Sequence, residues 1–211
     1  MATVRGSISV SADGYSAGPE QSVDNPLGIG GEGLHEWVVK LRVWREAHGL
    51  EGGESNASDR VAGALEGVGA TVMGRNMFGG GPGEWPEPAW NGWWGEDPPF
   101  KHPVFVLTHH AREPLTLGAT TFTFVTDGPE SALEQAKAAA GELDVSIGGG
   151  AETLQQFIAA RLLDELWITT APVLLGGGTR LLDSEKLGGA TLEQIEAFAG
   201  PDAVHTIYRV S

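Results

Sequence analysis

The feature that most constrains the fold is an alternation of strand and helix patterns through the second half of the chain. Short apolar runs rich in β-branched residues alternate with stretches of helical periodicity. The predicted strands are 104–108, 121–125, 143–147 and 165–171, and the predicted helices are 129–140 and 151–161. Strands that alternate with helices predict an α/β fold with a mainly parallel central sheet covered on both faces.

The first half adds elements to the same sheet. The predicted elements are a strand at 4–10, a surface loop at 16–33, an amphipathic helix at 34–48, a helix capped by Ser58 or Asp59, and a strand at 70–74. The tryptophan-rich stretch 79–103 is too broken by Gly and Pro for regular structure. The C-terminal segment 204–210 alternates apolar and polar residues, so we expect it to pair antiparallel at a sheet edge. At 211 residues without repeats, the chain is predicted to form one domain, 1–211.

Composition excludes several classes of function. With 13 basic and 28 acidic side chains, the net charge is −15, which argues against nucleic acid as a partner. The sequence has no cysteine, so disulfides, thiolate metal sites and a cysteine nucleophile are excluded. No His pair has metal-ligand spacing, and no metal is expected. The chain has no apolar run of membrane-spanning length and no secretory leader pattern, so we expect a cytoplasmic protein away from membranes.

Three glycine clusters compete as anion sites, and one of them, Gly79–Gly83, is most simply a turn because Pro and Trp follow it. Gly28–Gly33 fits the dinucleotide-binding string, but no strand precedes it, and the fingerprint requires a strand, a tight turn and a helix in succession. A flexible loop is the better interpretation there. Gly148–Gly150 directly follows an apolar strand end and opens an amphipathic helix, so free backbone N–H groups at this helix start would attract an anion. The alternative is that these glycines serve packing alone.

Two other strand ends carry cationic side chains. Arg75 follows the predicted strand 70–74, and Thr108 is followed by His109 and His110. In open α/β sheets, ligands bind outside the carboxyl ends of the strands. These strand ends and the triple glycine therefore predict one pocket for an anionic ligand, provided that the strands are neighbours. The alternative for each cation is a solvated surface residue.

The order of these motifs resembles the dihydrofolate reductase superfamily. The motifs are the first turn at Asp13 and Gly14, the run Met73–Phe78, the strand end at Thr108 and the run Ile147–Gly150. The later run Leu163–Gly178 resembles one branch, the reductase domain of the riboflavin-biosynthesis deaminase/reductase and its stand-alone relatives. The resemblance implies a dihydrofolate-reductase-like three-layer fold, NADPH as cofactor and a homodimer, with the turn Gly176–Gly178 in the dimer-associated part.

The same resemblance implies roles for individual residues. Groups meeting the cofactor phosphates would be Gly74, Arg75, Asn76 and Met77, with Thr108, His109 and His110 at the adenosine 2′-phosphate. The pyrophosphate would lie on Gly148, Gly149, Gly150, Ala151, Glu152 and Thr153, and the nicotinamide on Val10, Ala12 and Asp13. A histidine or arginine beside the 2′-phosphate would supply charge-assisted hydrogen bonds.

The resemblance also implies a proton donor, Asp59, with Thr169 in support. The alternative for Asp59 is a helix N-cap, a position that Asp favours. The segments around Trp37 and Trp85–Trp94 depart from the folate-reductase pattern, so the expected substrate is a small pteridine- or pyrimidine-like heterocycle or a carbonyl compound rather than dihydrofolate. Two other hypotheses stay open: an NADP(H)-binding protein without catalysis, and a structural dimer whose glycine turns serve packing.

Overall fold

The computed structural model describes residues 2–211. Within that range the strands are β1 (Val4–Ser11), β2 (Tyr15–Ala17), β3 (Val68–Gly74), β4 (Val104–Leu107), β5 (Leu115–Leu117), β6 (Thr120–Val125), β7 (Asp144–Ile147), β8 (Glu165–Ala171), β9 (Thr179–Arg180), β10 (Leu192–Gly200) and β11 (Ala203–Val210). The α-helices are α1 (Arg42–Ala47), α2 (Asn56–Leu65), α3 (Arg75–Phe78), α4 (Pro129–Ala140) and α5 (Ala151–Ala159), and two short 3-10 helices cover Gly31–His35 and Val38–Lys40.

Nine of these strands form one sheet in the order β10-β11-β8-β1-β7-β3-β4-β6-β5. The six strands from β8 to β6 are parallel, as the β–α alternation predicts. The C-terminal strand β11 is antiparallel to β8, but it is not the edge strand. β10, which the sequence analysis did not identify, pairs antiparallel with β11 and covers it.

One face of the sheet is covered by α4 and α5. The apolar stripes of these helices, spaced three and four residues apart, supply Leu133 and Ala136 from α4 and Leu154, Phe157 and Ile158 from α5 to the main core. Full burial of a Leu, Ile or Phe side chain contributes about 1.5–3 kcal/mol. These two helices therefore fix the positions of the strands that precede and follow them.

The opposite face carries a second apolar cluster over β3, β4 and β6. Met73, Phe78 and Phe122 are buried there beneath the tryptophans of segment 79–103. This segment lacks helices and strands, as predicted. Its tryptophan side chains hold it on the sheet; for example, the Trp90 indole N–H donates to the Phe78 carbonyl at 2.9 Å. Between this cluster and the segment containing the 3-10 helices, the face above β1 and β7 is left as a groove.

The predicted helix at 34–48 is wrong in its detail. The segment is broken into two 3-10 helices and α1, because Leu41 is extended and the backbone of Glu54 bonds to Lys40 and Arg42 at this point. Ser58 and Asp59 are not caps of α2, which begins at Asn56 with Ser55 as N-cap. The Ser58 hydroxyl instead accepts the Val43 N–H of α1 at 2.7 Å.

No helix of the described residues is both long enough and apolar enough to cross a bilayer. Over the same range, no three His, Asp or Glu side chains cluster in a way that would hold a metal ion.

Candidate functional site

A cleft of about 1390 Å³ crosses the carboxyl ends of the central strands and continues over the uncovered groove of the sheet. We divide its lining into two parts. The turn half consists of the segments that follow β3, β4 and β7, namely Gly74–Met77, Thr108–His110 and Gly148–Thr153. The sheet half is lined by side chains on the strand face and around it, namely Ser7, Ser9, His35, Thr71, His102 and Ser146.

The turn half forms because β7, β3 and β4 are adjacent and parallel. Gly74 pairs with Leu107 in the ladder between β3 and β4, so Arg75 and Thr108 leave the sheet side by side. β7 pairs with β3 on its other side, which places Gly148 next to them. Arg75 and Gly148–Gly150 therefore line the same cleft, and the predicted convergence of these strand ends is confirmed.

The turn from β7 into α5 presents open backbone groups. The Gly148 N–H donates to the Val72 carbonyl at 2.7 Å, and the first intrahelical bond runs from the Leu154 N–H to the Gly150 carbonyl. No side chain caps α5, and a Cβ placed on Gly150 would meet no atom within 4 Å. An uncapped helix start with free space in front of it suits a phosphate group.

Gly74 has a different reason to be glycine. A Cβ there would lie 2.3 Å from the Thr153 hydroxyl oxygen. The start of α5 therefore packs directly on the end of β3, and this contact is what joins the two turns into one surface.

Arg75 supplies the cation of the turn half. Its guanidinium stacks on the Trp85 ring, 3.3 Å from the ring centroid, and lies 3.4 Å from the Thr108 hydroxyl oxygen. Its remaining contacts are carbonyl oxygens, and no described carboxylate lies within ion-pair distance of it. Burial, and then the neighbouring charge of Arg112, lower its pKa, whereas the charge of Glu84 raises it. A guanidinium without a carboxylate in ion-pair contact favours an anionic ligand.

The segment after β4 is ordered by Thr108. Its hydroxyl oxygen accepts the His110 N–H at 3.2 Å, and the His110 Nδ1 lies 3.2 Å from a carboxylate oxygen of Glu84. His109 lines the cleft beside them, as do Asn76 and Met77. All the predicted residues of these turns thus reach the cleft.

The first turn of the chain, in contrast, does not reach the cleft. Val10 belongs to the main core, and the Ala12 N–H is already used by the Val173 carbonyl at 2.9 Å. The Asp13 carboxylate accepts hydrogen bonds from the Leu175 and Gly176 N–H groups at 3.1 and 2.7 Å. The Ser11 hydroxyl, followed by the Gly176 N–H, lowers the Asp13 pKa to about 2. This carboxylate ties two loops together, and none of the three predicted nicotinamide contacts is among the residues lining the cleft.

Asp59 and Thr169 are not brought to the cleft either. Asp59 is 68% exposed and forms an ion pair with Arg42, because its helix α2 packs against β10 at the far side of the sheet. Thr169 is buried, with its hydroxyl 2.9 Å from the Nδ1 atom of His205. The structure thus does not bring this pair together in the cleft: Asp59 is a surface residue and Thr169 is a buried partner of a histidine.

Sequence reasoning missed the sheet half. Thr71 pairs with Ser146, which in turn pairs with Arg5 of β1. Ladder partners share a face, so the hydroxyls of Thr71 and Ser146 lie on the same side as those of Ser7 and Ser9. The available signal was the alternation of serines along β1, which places hydroxyls on one face of a central strand.

Two imidazoles accompany these hydroxyls. The His102 Nε2 lies 2.8 Å from the Thr71 hydroxyl oxygen, whereas His35 lines the cleft at the end of the first 3-10 helix. Desolvation lowers the pKa of both, which favours their neutral forms near pH 7. Of the described residues that line the cleft, Glu152 is the one carboxylate, and it belongs to the turn half.

Comparison with solved structures defines the fold as dihydrofolate-reductase-like. A candidate riboflavin biosynthesis protein from Shewanella sp. PV-4 superimposes with a TM-score of 0.61 at 23% identity, over 99% of both chains. Dihydrofolate reductase from Enterococcus faecalis, solved with NADP(H) and RAB-propyl, gives a TM-score of 0.55 at 14% identity, covering 99% of this chain and 96% of that one. The deaminase/reductase of Thermotoga maritima gives 0.57 at 10% identity, covering 100% of this chain and 57% of its own.

The family follows from the sequence itself. The model of the RibD C-terminal domain matches residues 2–205, so the chain belongs to the RibD C-terminal domain family. The curated proteins contain no match to the sequence.

Proposed function

We propose that this protein is an NADPH-dependent reductase that transfers hydride to a small pteridine- or pyrimidine-like heterocycle or to a carbonyl compound. The observation that carries the proposal is the shared surface of Arg75 and the uncapped start of α5 in one cleft. Membership in the RibD C-terminal domain family and the NADP(H) bound by the similar dihydrofolate reductase support it.

The residues of the turn half fit a dinucleotide phosphate. We assign the diphosphate to the backbone N–H groups of Gly149–Thr153, with the open space at Gly150 leaving room for it. Arg75, Asn76 and Met77 would meet the phosphates from the β3 side, and Thr108, His109 and His110 the adenosine 2′-phosphate. Bound NADPH supplies the hydride, while the protein orients the ring and excludes water.

The proton that accompanies the hydride needs a carrier. Asp59 is remote from the cleft and His102 is hydrogen-bonded to Thr71. His35 lines the sheet half and forms no hydrogen bond through its ring to the described residues. We therefore assign His35 as a neutral proton relay: one ring nitrogen takes a proton from solvent while the other gives its proton to the substrate, directly or through a water molecule.

Two titrations test the function. Tryptophan fluorescence should fall when NADPH is added, and NADPH should bind more tightly than NADH because the latter lacks the 2′-phosphate. NADPH oxidation should then depend on a heterocycle from a panel of pterins and aminopyrimidines, and His35→Gln should lower the turnover with little change in NADPH affinity. No binding of either cofactor at millimolar concentration would contradict the proposal.

A second candidate function is NADP(H) binding without catalysis. It is favoured by the lack of any carboxylate among the described residues lining the sheet half. It predicts tight NADPH binding and no substrate-dependent oxidation across the same panel. Any heterocycle that is reduced at the expense of NADPH eliminates it.

We also propose a homodimer. Leu174 is 79% exposed and Ile29 is 55% exposed; Leu174 lies just before the turn Gly176–Gly178, which the family resemblance assigns to the dimer-associated part. Light scattering coupled to gel filtration should give twice the chain mass of 22.1 kDa. Leu174→Asp should shift the protein to the monomer, and a wild-type monomer at micromolar concentration would contradict the assignment.

A further inference from the structure

Ser9 is a buried hydroxyl with an unused hydrogen-bond donor that lines the cleft. Its side chain is on the central strand β1, and the residue is 8% exposed. The Trp37 indole N–H donates to the Ser9 hydroxyl oxygen at 3.1 Å. An indole N–H can only donate, so the serine oxygen acts as acceptor in this bond. The Ser9 O–H is left to donate, and no described residue accepts a hydrogen bond from it.

Trp37 is itself held in a fixed orientation. Its ring meets the His205 ring edge-on, with the centroids 4.9 Å apart. His205 is 0% exposed and stacks on Phe198 at 4.7 Å. The Trp167 indole N–H donates to the His205 Nδ1 at 3.2 Å, which fixes that nitrogen as the unprotonated one. The Thr169 hydroxyl lies 2.9 Å from the same nitrogen. Because His205 is held by these contacts and Trp37 packs against it, the geometry of the Trp37–Ser9 hydrogen bond is fixed by packing.

The surroundings of Ser9 carry little charge. Outside the turn half, Lys101 is the one Lys or Arg among the described residues that line the cleft, and it is ion-paired with Asp97. The other polar side chains near Ser9 are uncharged hydroxyls, the Gln21 carboxamide and the imidazoles of His35 and His102. A region without an unpaired charge does not compensate for the desolvation of a charged ligand, so it favours an uncharged one.

We propose that Ser9 is a specificity-determining residue that donates a hydrogen bond to a carbonyl oxygen of an uncharged heterocyclic substrate. Trp37 is the positioning residue that keeps the Ser9 hydroxyl in the donating orientation. This inference rests on the proposed reductase function, since it assigns the sheet half of the cleft to the substrate. A buried donor that meets no acceptor discriminates against ligands that lack one.

The test uses pteridine-2,4-dione and 2,4-diaminopteridine, which differ in the groups offered to Ser9. Each is titrated calorimetrically into the NADPH-saturated protein at pH 7, and again into the free protein. Ser9→Ala should weaken binding of the dione about tenfold, which corresponds to about 1.4 kcal/mol, and leave that of the diamine within twofold. Trp37→Phe, which keeps an aromatic ring but removes the indole N–H donor, should weaken binding of the dione by less than Ser9→Ala does.

Ser131→Ala is the control, because it removes a serine hydroxyl from α4, outside the residues that line the cleft. It should change the affinity for the dione by less than twofold. A 6-carboxylate derivative of the dione should bind more weakly than the dione. The inference is overturned if the dione does not bind the wild type, or if Ser9→Ala and Ser131→Ala have equal effects. Failure of NADPH to bind contradicts the reductase function instead, and the titrations into free protein then still test Ser9.

Discussion

Two of the glycine clusters that compete in the sequence, Gly28–Gly33 and Gly148–Gly150, have opposite roles in the structure. In the Gly28–Gly33 cluster, a Cβ on Gly28 would lie 2.2 Å from the Gly18 carbonyl oxygen. In the Gly148–Gly150 cluster, a Cβ on Gly150 would meet no atom within 4 Å. The first cluster is glycine because the chain crosses itself closely. The second leaves space in front of a helix start at Gly150, although a Cβ on Gly148 would lie 2.9 Å from the Met77 sulfur. Spacing alone does not separate these cases, whereas the surroundings of the missing Cβ at Gly28 and at Gly150 do.

The largest effect should come from Gly28→Ala. Gly28 has φ +71° and its missing Cβ faces backbone, so the substitution combines left-handed strain with a steric clash. We expect a loss of about 3 kcal/mol in the free energy of unfolding, measured by urea denaturation. NADPH affinity of the folded protein should be unchanged. Weaker NADPH binding without a loss of stability would reverse the roles of the two clusters.

Gly150→Ala should weaken NADPH binding and leave the stability of the fold nearly unchanged. The residue has φ −81°, which alanine adopts without strain, so stability should change little. The added methyl group would occupy space assigned to the diphosphate, and the Kd for NADPH should rise about tenfold, or about 1.4 kcal/mol. Gly63→Ala is the control, since its Cβ also meets no atom within 4 Å but lies in α2. Equal Kd values for the Gly150 variant and the wild type would mean that this turn is a packing feature.

Asp13→Asn tests whether the Gly28–Gly33 cluster has a structural role. The Asp13 carboxylate anchors Leu175, and Leu175 lies 3.1 Å from the missing Cβ of Gly30. Because its pKa is lowered from 3.8 to about 2 in the folded protein, the ionised group stabilises the fold above about pH 4, and that contribution is lost as the pH falls towards 2. The variant should therefore melt below the wild type at pH 7, and the difference should shrink between pH 4 and 2. A difference that does not depend on pH would contradict this account.

Asp59→Asn should have the smallest effect. The ion pair with Arg42 is exposed, and such pairs contribute about 0–1 kcal/mol. NADPH affinity and substrate turnover should both stay at wild-type values. A large loss of turnover would restore Asp59 as the proton donor and displace His35.

The parts of the molecule that the sequence predicts are local ones. The strand that ends at Ile147, the glycine turn and α5 are contiguous, so hydrophobic periodicity and turn chemistry define them together. The same holds for Arg75 directly after β3. The resemblance to dihydrofolate reductase then orders these turns in the sheet, and the family match agrees with it.

The sheet half could not be predicted in this way. The hydroxyls of Thr71 and Ser146 share a face with Ser9 only because of strand register between residues far apart in sequence. The catalytic role of Asp59 came from the family resemblance alone, which does not define the direction of its side chain; α2 begins at Asn56 and carries Asp59 outward. β10 was missed because its Glu and Ala residues favour helix by intrinsic propensity, and pairing with β11 overrides that preference.

The most direct test of the central claim follows backbone amide signals by NMR while NADPH is added to isotopically labelled protein. The account predicts that the largest shifts fall on Gly148–Thr153 and on Arg75–Met77, with the amides of Gly28–Gly33 unchanged. Largest shifts at Gly28–Gly33, or saturation with NADPH that leaves Gly148–Thr153 unmoved, would contradict it.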